Sequence, residues 1–160
     1  MQNKTNCISM TNKDGENALI SLTYIGNNKG KDDGIELIRT LEKWRVSNKE
    51  TDVTSALAIN DTYFIQNLEG SRLIINEVLA TLTKEYPRIL LHVVEVKEIE
   101  SRRWKGFLIK YLTSNDQDTE NTLKSFLAGT EFNPYLMRQT QITSLIKALF
   151  EERKINSTSN

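Results

Sequence analysis

The 160-residue sequence contains one cysteine, Cys7, and one histidine, His92. A single thiol excludes an internal disulfide framework. One imidazole supplies too few ligands for a His-rich metal site and argues against a His-based catalytic triad. His92 lies in an apolar run and reads as an ordinary strand histidine. Surplus charge is absent too: 21 basic and 21 acidic residues leave a formal net charge of zero. No global field therefore draws the chain to a nucleic-acid backbone or an anionic membrane. The longest apolar runs, such as Ile89–Val94, are strand-length and far short of the roughly 20 residues a membrane span needs. The N-terminal stretch MQNKTNCISM has no apolar core of the kind a secretory signal requires. The expectation is a cytoplasmic protein that engages neither nucleic acid nor membrane. What is present, 38% hydrophobic and 26% charged residues, is the composition of a globular domain that can bury a core.

Residues 1–16 are polar and aperiodic and read as a loose arm. Leu19–Ile25 alternates as a strand, with Ile20, Leu22 and Tyr24 facing one way. Gly26–Lys31 breaks it. Asp33 followed by Glu36 opens a helix that runs to about Val46, with Leu37, Ile38, Leu41 and Trp44 inward. Strands over Val53–Ile59 and Thr62–Leu68 join at Asn60-Asp61, a pair suited to a tight hairpin. Gly70-Ser71 ends the second and opens a helix with the stripe Ile75, Val78, Leu79 and Leu82, closing near Tyr86-Pro87. The near-continuous apolar run Ile89–Val96 predicts a strand central in the sheet, and Phe107–Leu112 predicts the last strand. The order β-α-β-β-α-β-β implies an α+β fold of ferredoxin-like type. It comprises a mixed five-stranded sheet with two helices on one face, followed by C-terminal helices.

This divides the chain into a domain over 17–113, a helical extension over 114–152 and a polar tail over 153–160. Thr113–Asn121 reads as a linker. A short apolar segment with Leu123, Phe126 and Leu127 ends at Gly129, and Pro134 restarts the chain. Ile142, Leu145, Ile146, Leu149 and Phe150 then fall at helical spacing. That stripe must be covered, either by the outer face of the sheet or by a second subunit, which leaves a homo-oligomer open.

Two polar residues sit where apolar ones are expected. Gln66 shares a strand face with Phe64 and Leu68, and a buried amide without partners costs about 1–3 kcal/mol. Tyr24 shares a face with Ile20 and Leu22, and a buried tyrosine usually gives its hydroxyl a partner. If their strands are neighbours, one contact serves both. Asn48, just past the first helix, is a third short polar side chain, suited to a helix C-terminus or to a ligand.

Together these residues resemble the BLUF family of blue-light sensors. Tyr24 is followed after 24 residues by Asn48 and after 18 more by Gln66, which lies inside Phe64-x-Gln66-x-Leu68-Glu69-Gly70. The family's Thr-Gly corresponds to Thr54-Ser55. Its Pro-Ile-x-x-Arg-x-Phe run corresponds to Glu98 through Trp104, and its Trp-x-Met strand to Phe107-Leu108-Ile109. The resemblance covers residues 19 to 112. It implies a flavin, FAD or FMN, between the two helices, with Asn48 on the ring edge and Gln66 between the flavin and Tyr24. By that resemblance blue light moves an electron and then a proton from Tyr24 to the flavin, and Gln66 rearranges its hydrogen bonds as they return.

The chain departs from the family at Ser55 for glycine, Gly26 for serine, Phe107 for tryptophan and Ile109 for methionine. Ser47 precedes the asparagine where Asn or His is usual. Thr81 takes a position often basic, Glu85 begins the stretch matching Asp-x-Arg-His, and Arg88 keeps a positive charge there. Ser47, Phe107, Ile109, Thr81, Glu85 and Arg88 therefore join Tyr24, Asn48 and Gln66 as the expected flavin environment. Two functions follow as alternatives. One is a non-enzymatic photoreceptor that signals through its C-terminal helices to a separate protein; the other is an interaction scaffold of the same fold that holds flavin weakly or not at all. A phosphate-loop enzyme is disfavoured, because Gly26–Gly30 has neither a glycine-rich fingerprint nor an arginine.

Overall fold

The computed structural model describes residues 15, 17–27, 39, 53–85, 87, 90–112, 117–127 and 131–151. Apart from Arg39, the helix expected over 33–46 lies outside them, as do Ser47, Asn48 and Arg88. The described elements run β1 (Leu19–Asn27), β2 (Thr54–Ile59), β3 (Tyr63–Ser71), α1 (Arg72–Glu85), β4 (His92–Glu98), β5 (Phe107–Tyr111), α2 (Gln117–Leu127), a single 3-10 turn over Pro134–Leu136, and α3 (Gln139–Phe150). The five strands form one mixed sheet in the order β4-β1-β3-β2-β5. β2 and β5 are parallel; the other neighbours are antiparallel.

Each face of the sheet carries its own core. On one, Ile20, Leu22 and Tyr24 of β1, Leu57 and Ile59 of β2, and Phe64 and Leu68 of β3 meet Ile75, Val78 and Leu82 of α1. On the other, Ile25, Ala56, Ala58 and Ile65 meet Ile142, Leu145, Ile146 and Leu149 of α3. The four α3 residues are between 0% and 3% exposed, so the chain's own sheet covers the amphipathic stripe. Each such side chain contributes about 1.5–3 kcal/mol on burial, enough to hold a 12-residue helix in place. The β3-to-α1 corner depends on Gly70: a Cβ there would stand 3.1 Å from Ile75 Cδ1 and 3.2 Å from Val53 Cγ2. At the entry to β5, Gly106 takes φ +90 and its carbonyl accepts from the Ser55 amide at 2.9 Å.

Two expectations are corrected. The apolar run expected to be central forms β4, an edge strand, with Val93 50% and Val96 57% exposed. Polarity misleads here in both directions. The central strand is β3, whose Gln66, Asn67 and Glu69 are all 0% exposed, Asn67 and Glu69 being accommodated by hydrogen bonds and Gln66 through its oxygen alone. A register shift between Thr23 and Tyr24 also interrupts strict alternation where β4 pairs with β1. The second correction concerns Thr113–Asn121, whose later part is helical. α2 begins at Gln117, with Asp118 and Glu120 in its first turn, where the helix dipole favours negative charge. The Thr122 hydroxyl donates to the Asp118 carbonyl at 2.8 Å, and Lys124 pairs with Glu120 at 3.4 Å.

Candidate functional site

Tyr24 and Gln66 are direct cross-strand partners on β1 and β3, in the middle of the sheet, and both are 0% exposed. The Tyr24 hydroxyl donates to Gln66 Oε1. Phe64, one pleat along β3, sets its ring edge-on to Tyr24 at 6.1 Å and 88°. Burial pushes the Tyr24 hydroxyl far above the ordinary tyrosine value of 10.0, so it stays a neutral donor. The other end of the amide has no partner among the described residues: Gln66 Nε2 is buried with nothing there to bond. Two N–H donors in a sealed, low-dielectric wall carry a cost of about 1–3 kcal/mol unless an acceptor meets them. That orphan is the feature a bound flavin, with carbonyls and ring nitrogens along one edge, fits.

Phe107 and Ile109 of β5 are half-buried and pack against the same cluster. Ile109 pairs with Leu57, Leu57 with Gln66, and Gln66 with Tyr24, so the four form one row across the sheet. Ile109 thus lies one strand beyond the neighbour of Gln66, carrying an aliphatic side chain where a polarisable sulfur is usual. Two other expected residues stay apart from this row. Thr81 on α1 donates its hydroxyl to the Glu77 carbonyl of its own helix at 2.9 Å, and Glu85 is exposed at the last residue of α1.

On the opposite face lies a polar constellation that the sequence reading passes over. Asn67 is fully buried and fully bonded: Nδ2 donates to Ser21 Oγ at 2.8 Å and Thr23 Oγ1 at 2.9 Å, while Oδ1 accepts from Trp104 Nε1 at 2.8 Å. Glu69, equally buried, accepts from the Arg103 and Trp104 backbone amides at 3.0 Å each. Arg102 donates to Thr54 Oγ1 at 3.0 Å and to the Glu69 carbonyl at 2.9 Å. The glutamate of the Leu68-Glu69-Gly70 motif therefore ties the loop before β5 to the central strand. Trp104, held by both, sets its ring 5.9 Å from Phe150 at the end of α3. The available signal was alternation itself: Gln66 facing one core places Asn67 and Glu69 in the other.

Among the described residues no group of three or more His, Cys, Asp or Glu could hold a metal ion. No described helix is long and apolar enough to cross a membrane.

A family model described as BLUF, sensors of blue-light using FAD, matches residues 19–110. No curated protein matches. Among solved structures, the chain is similar to the dark state of the BLUF protein BlrB, at 20% identity with TM-score 0.63, over 84% of this chain and 96% of that one. The photo-activated state of BlsA is 21% identical with TM-score 0.64, over 85% and 98%. Klebsiella pneumoniae BlrP1 with FMN and cyclic diGMP is 20% identical with TM-score 0.57, over 80% of this chain and 35% of that longer one. At these identities the likeness is one of fold.

Proposed function

The chain belongs to the BLUF family of flavin-based blue-light sensors, and from that premise we propose that it is itself a photoreceptor whose switch is the Tyr24–Gln66 pair. The observation that supports this most is the unpartnered Gln66 Nε2, fully buried beside an amide oxygen already occupied by Tyr24. Bound flavin supplies blue-light absorption and a transient acceptor for one electron and one proton.

The chain's own residues do the rest. Tyr24 is the donor: burial keeps its hydroxyl protonated, so its proton leaves only after its electron has gone, and the return of both restores the neutral phenol. Gln66 is the bistable element. Its amide has a two-donor end and an acceptor end, and turning it end for end exchanges which of them faces Tyr24. In a closed, dry network each arrangement is held by its own hydrogen bonds, so the change outlasts the light. Asn48 would hold the ring edge, with Ser47, Thr81, Glu85 and Arg88 around the remainder of the flavin. Phe107 and Ile109 carry the rearrangement towards the C-terminal helices, and through them to a separate signalling protein.

The test is the colour of the purified protein. A yellow preparation, or one that turns yellow with added FAD or FMN, should show a reversible red shift of its absorption band under blue light. A colourless protein that takes up neither flavin contradicts this reading and leaves the scaffold function of the same fold.

A further inference from the structure

The face that carries Gln66 holds a second orphan. Ser55, the second residue of β2, is 0% exposed, and its Oγ has no hydrogen-bond partner among the described residues. Its register places it opposite Leu68 on β3 and Phe107 on β5. It alternates in phase with Leu57 and Ile59, so it faces the Tyr24 core and not the α3 core. Leu57 is the partner of Gln66, which makes Ser55 the diagonal neighbour of Gln66, a separation of about 7–8 Å between Cα atoms. Two unsatisfied polar groups, Ser55 Oγ and Gln66 Nε2, therefore share one small area of an otherwise apolar wall.

A buried strand position with no local partner is better filled by alanine or valine than by serine, because an unpaired hydroxyl keeps its desolvation cost. The BLUF resemblance has glycine at this point, which offers no side chain, so the hydroxyl is a property of this chain. Its neighbour Thr54 shows the contrast: that hydroxyl faces the other way and reaches Glu69 and Arg102.

We propose that the Ser55 hydroxyl is a second polar contact to the flavin, donating to an oxygen or nitrogen acceptor of the bound cofactor beside the one that meets Gln66. This rests on the flavin reading above. It makes Ser55 a binding residue: it touches the cofactor and holds it without taking part in the electron or proton movement.

The orphan predicts effects of opposite sign in the two forms of the protein. Without flavin, Ser55→Ala removes an unsatisfied hydroxyl, so the variant should melt a few degrees higher than the wild type. With flavin, the same change removes a hydrogen bond, so FAD should bind about 2- to 10-fold more weakly. Ser55→Gly should show the same loss of affinity. The measurements are FAD titration by flavin fluorescence and thermal melting with and without FAD. In Ser55→Ala the rise in melting temperature produced by FAD should be smaller than in the wild type. Equal FAD affinity in wild type and Ser55→Ala, or a flavin-free variant that melts lower, overturns the assignment while leaving the Tyr24–Gln66 reading intact. A wild type that binds neither FAD nor FMN overturns both.

Discussion

At the scale of single residues, burial decides what each polar group can do. The Tyr24 phenol is held neutral because burial deprives the charged form of water. The consequence for stability has a definite sign. Above pH 10 the unfolded chain releases the Tyr24 proton and the folded chain does not, so the folded state binds more protons. The Tyr24 contribution to stability is therefore constant through neutral pH and falls as pH rises past about 10, the ordinary tyrosine value. Urea unfolding at pH 8 to 11 on wild type and Tyr24→Phe checks this. The wild type should lose stability more steeply than the variant above pH 10; parallel profiles contradict the neutral, buried phenol. Tyr24 and Gln66 were legible singly as polar residues in apolar-face positions, and as a pair through their spacing with Asn48 and the family resemblance it carries. Alternation put Asn67 and Glu69 on the opposite face but could not say that it is buried, since an exposed strand face and a buried, fully bonded one read identically in sequence. Which of the two they occupy is set by Trp104 and Arg102, more than 30 residues away.

At the scale of elements, β3 is the shared member. One of its faces carries Gln66; the other carries Asn67 and Glu69, which hold the loop that leads into β5. β5 is divided in the same way: Phe107 and Ile109 pack with the Tyr24 core, while Leu108 packs with the α3 core. On the proposed reading, a displacement of β5 on the Tyr24 side would reach α3 on the other through Leu108. Gln139 at the start of α3 also donates to Glu95 of β4, while Trp104 and Phe150 meet near its end. Burial raises the Glu95 carboxyl, but the Gln139 bond and Lys97 outweigh it and hold the group below its ordinary value. We expect amide hydrogen exchange over residues 105–150 to differ between illuminated and dark protein, with the change in β5 and α3. Identical protection in both states rules out this route. The elements themselves were largely legible from periodicity, and α3 above all. β4 was misplaced because an apolar run reports composition and not neighbours. The start of α2 was missed because its helical character lies in dipole-compatible charges and not in an apolar stripe.

At the scale of the whole molecule, the sheet separates two cores, with the Tyr24–Gln66 pair and α1 on one side and α3 on the other. The chain carries no net charge, a single histidine and a single cysteine. What it does have is a tyrosine–glutamine pair sealed in the middle of a sheet, with one amide nitrogen left without a partner. On the proposed reading, the missing acceptor is the flavin of the family to which the chain belongs. The most direct measurement is the light-minus-dark absorption spectrum of FAD-loaded wild type beside FAD-loaded Tyr24→Phe. The wild type should shift reversibly to the red, while the variant should hold its flavin and show no shift. A Tyr24→Phe protein that shifts as the wild type does would contradict the central role of the pair.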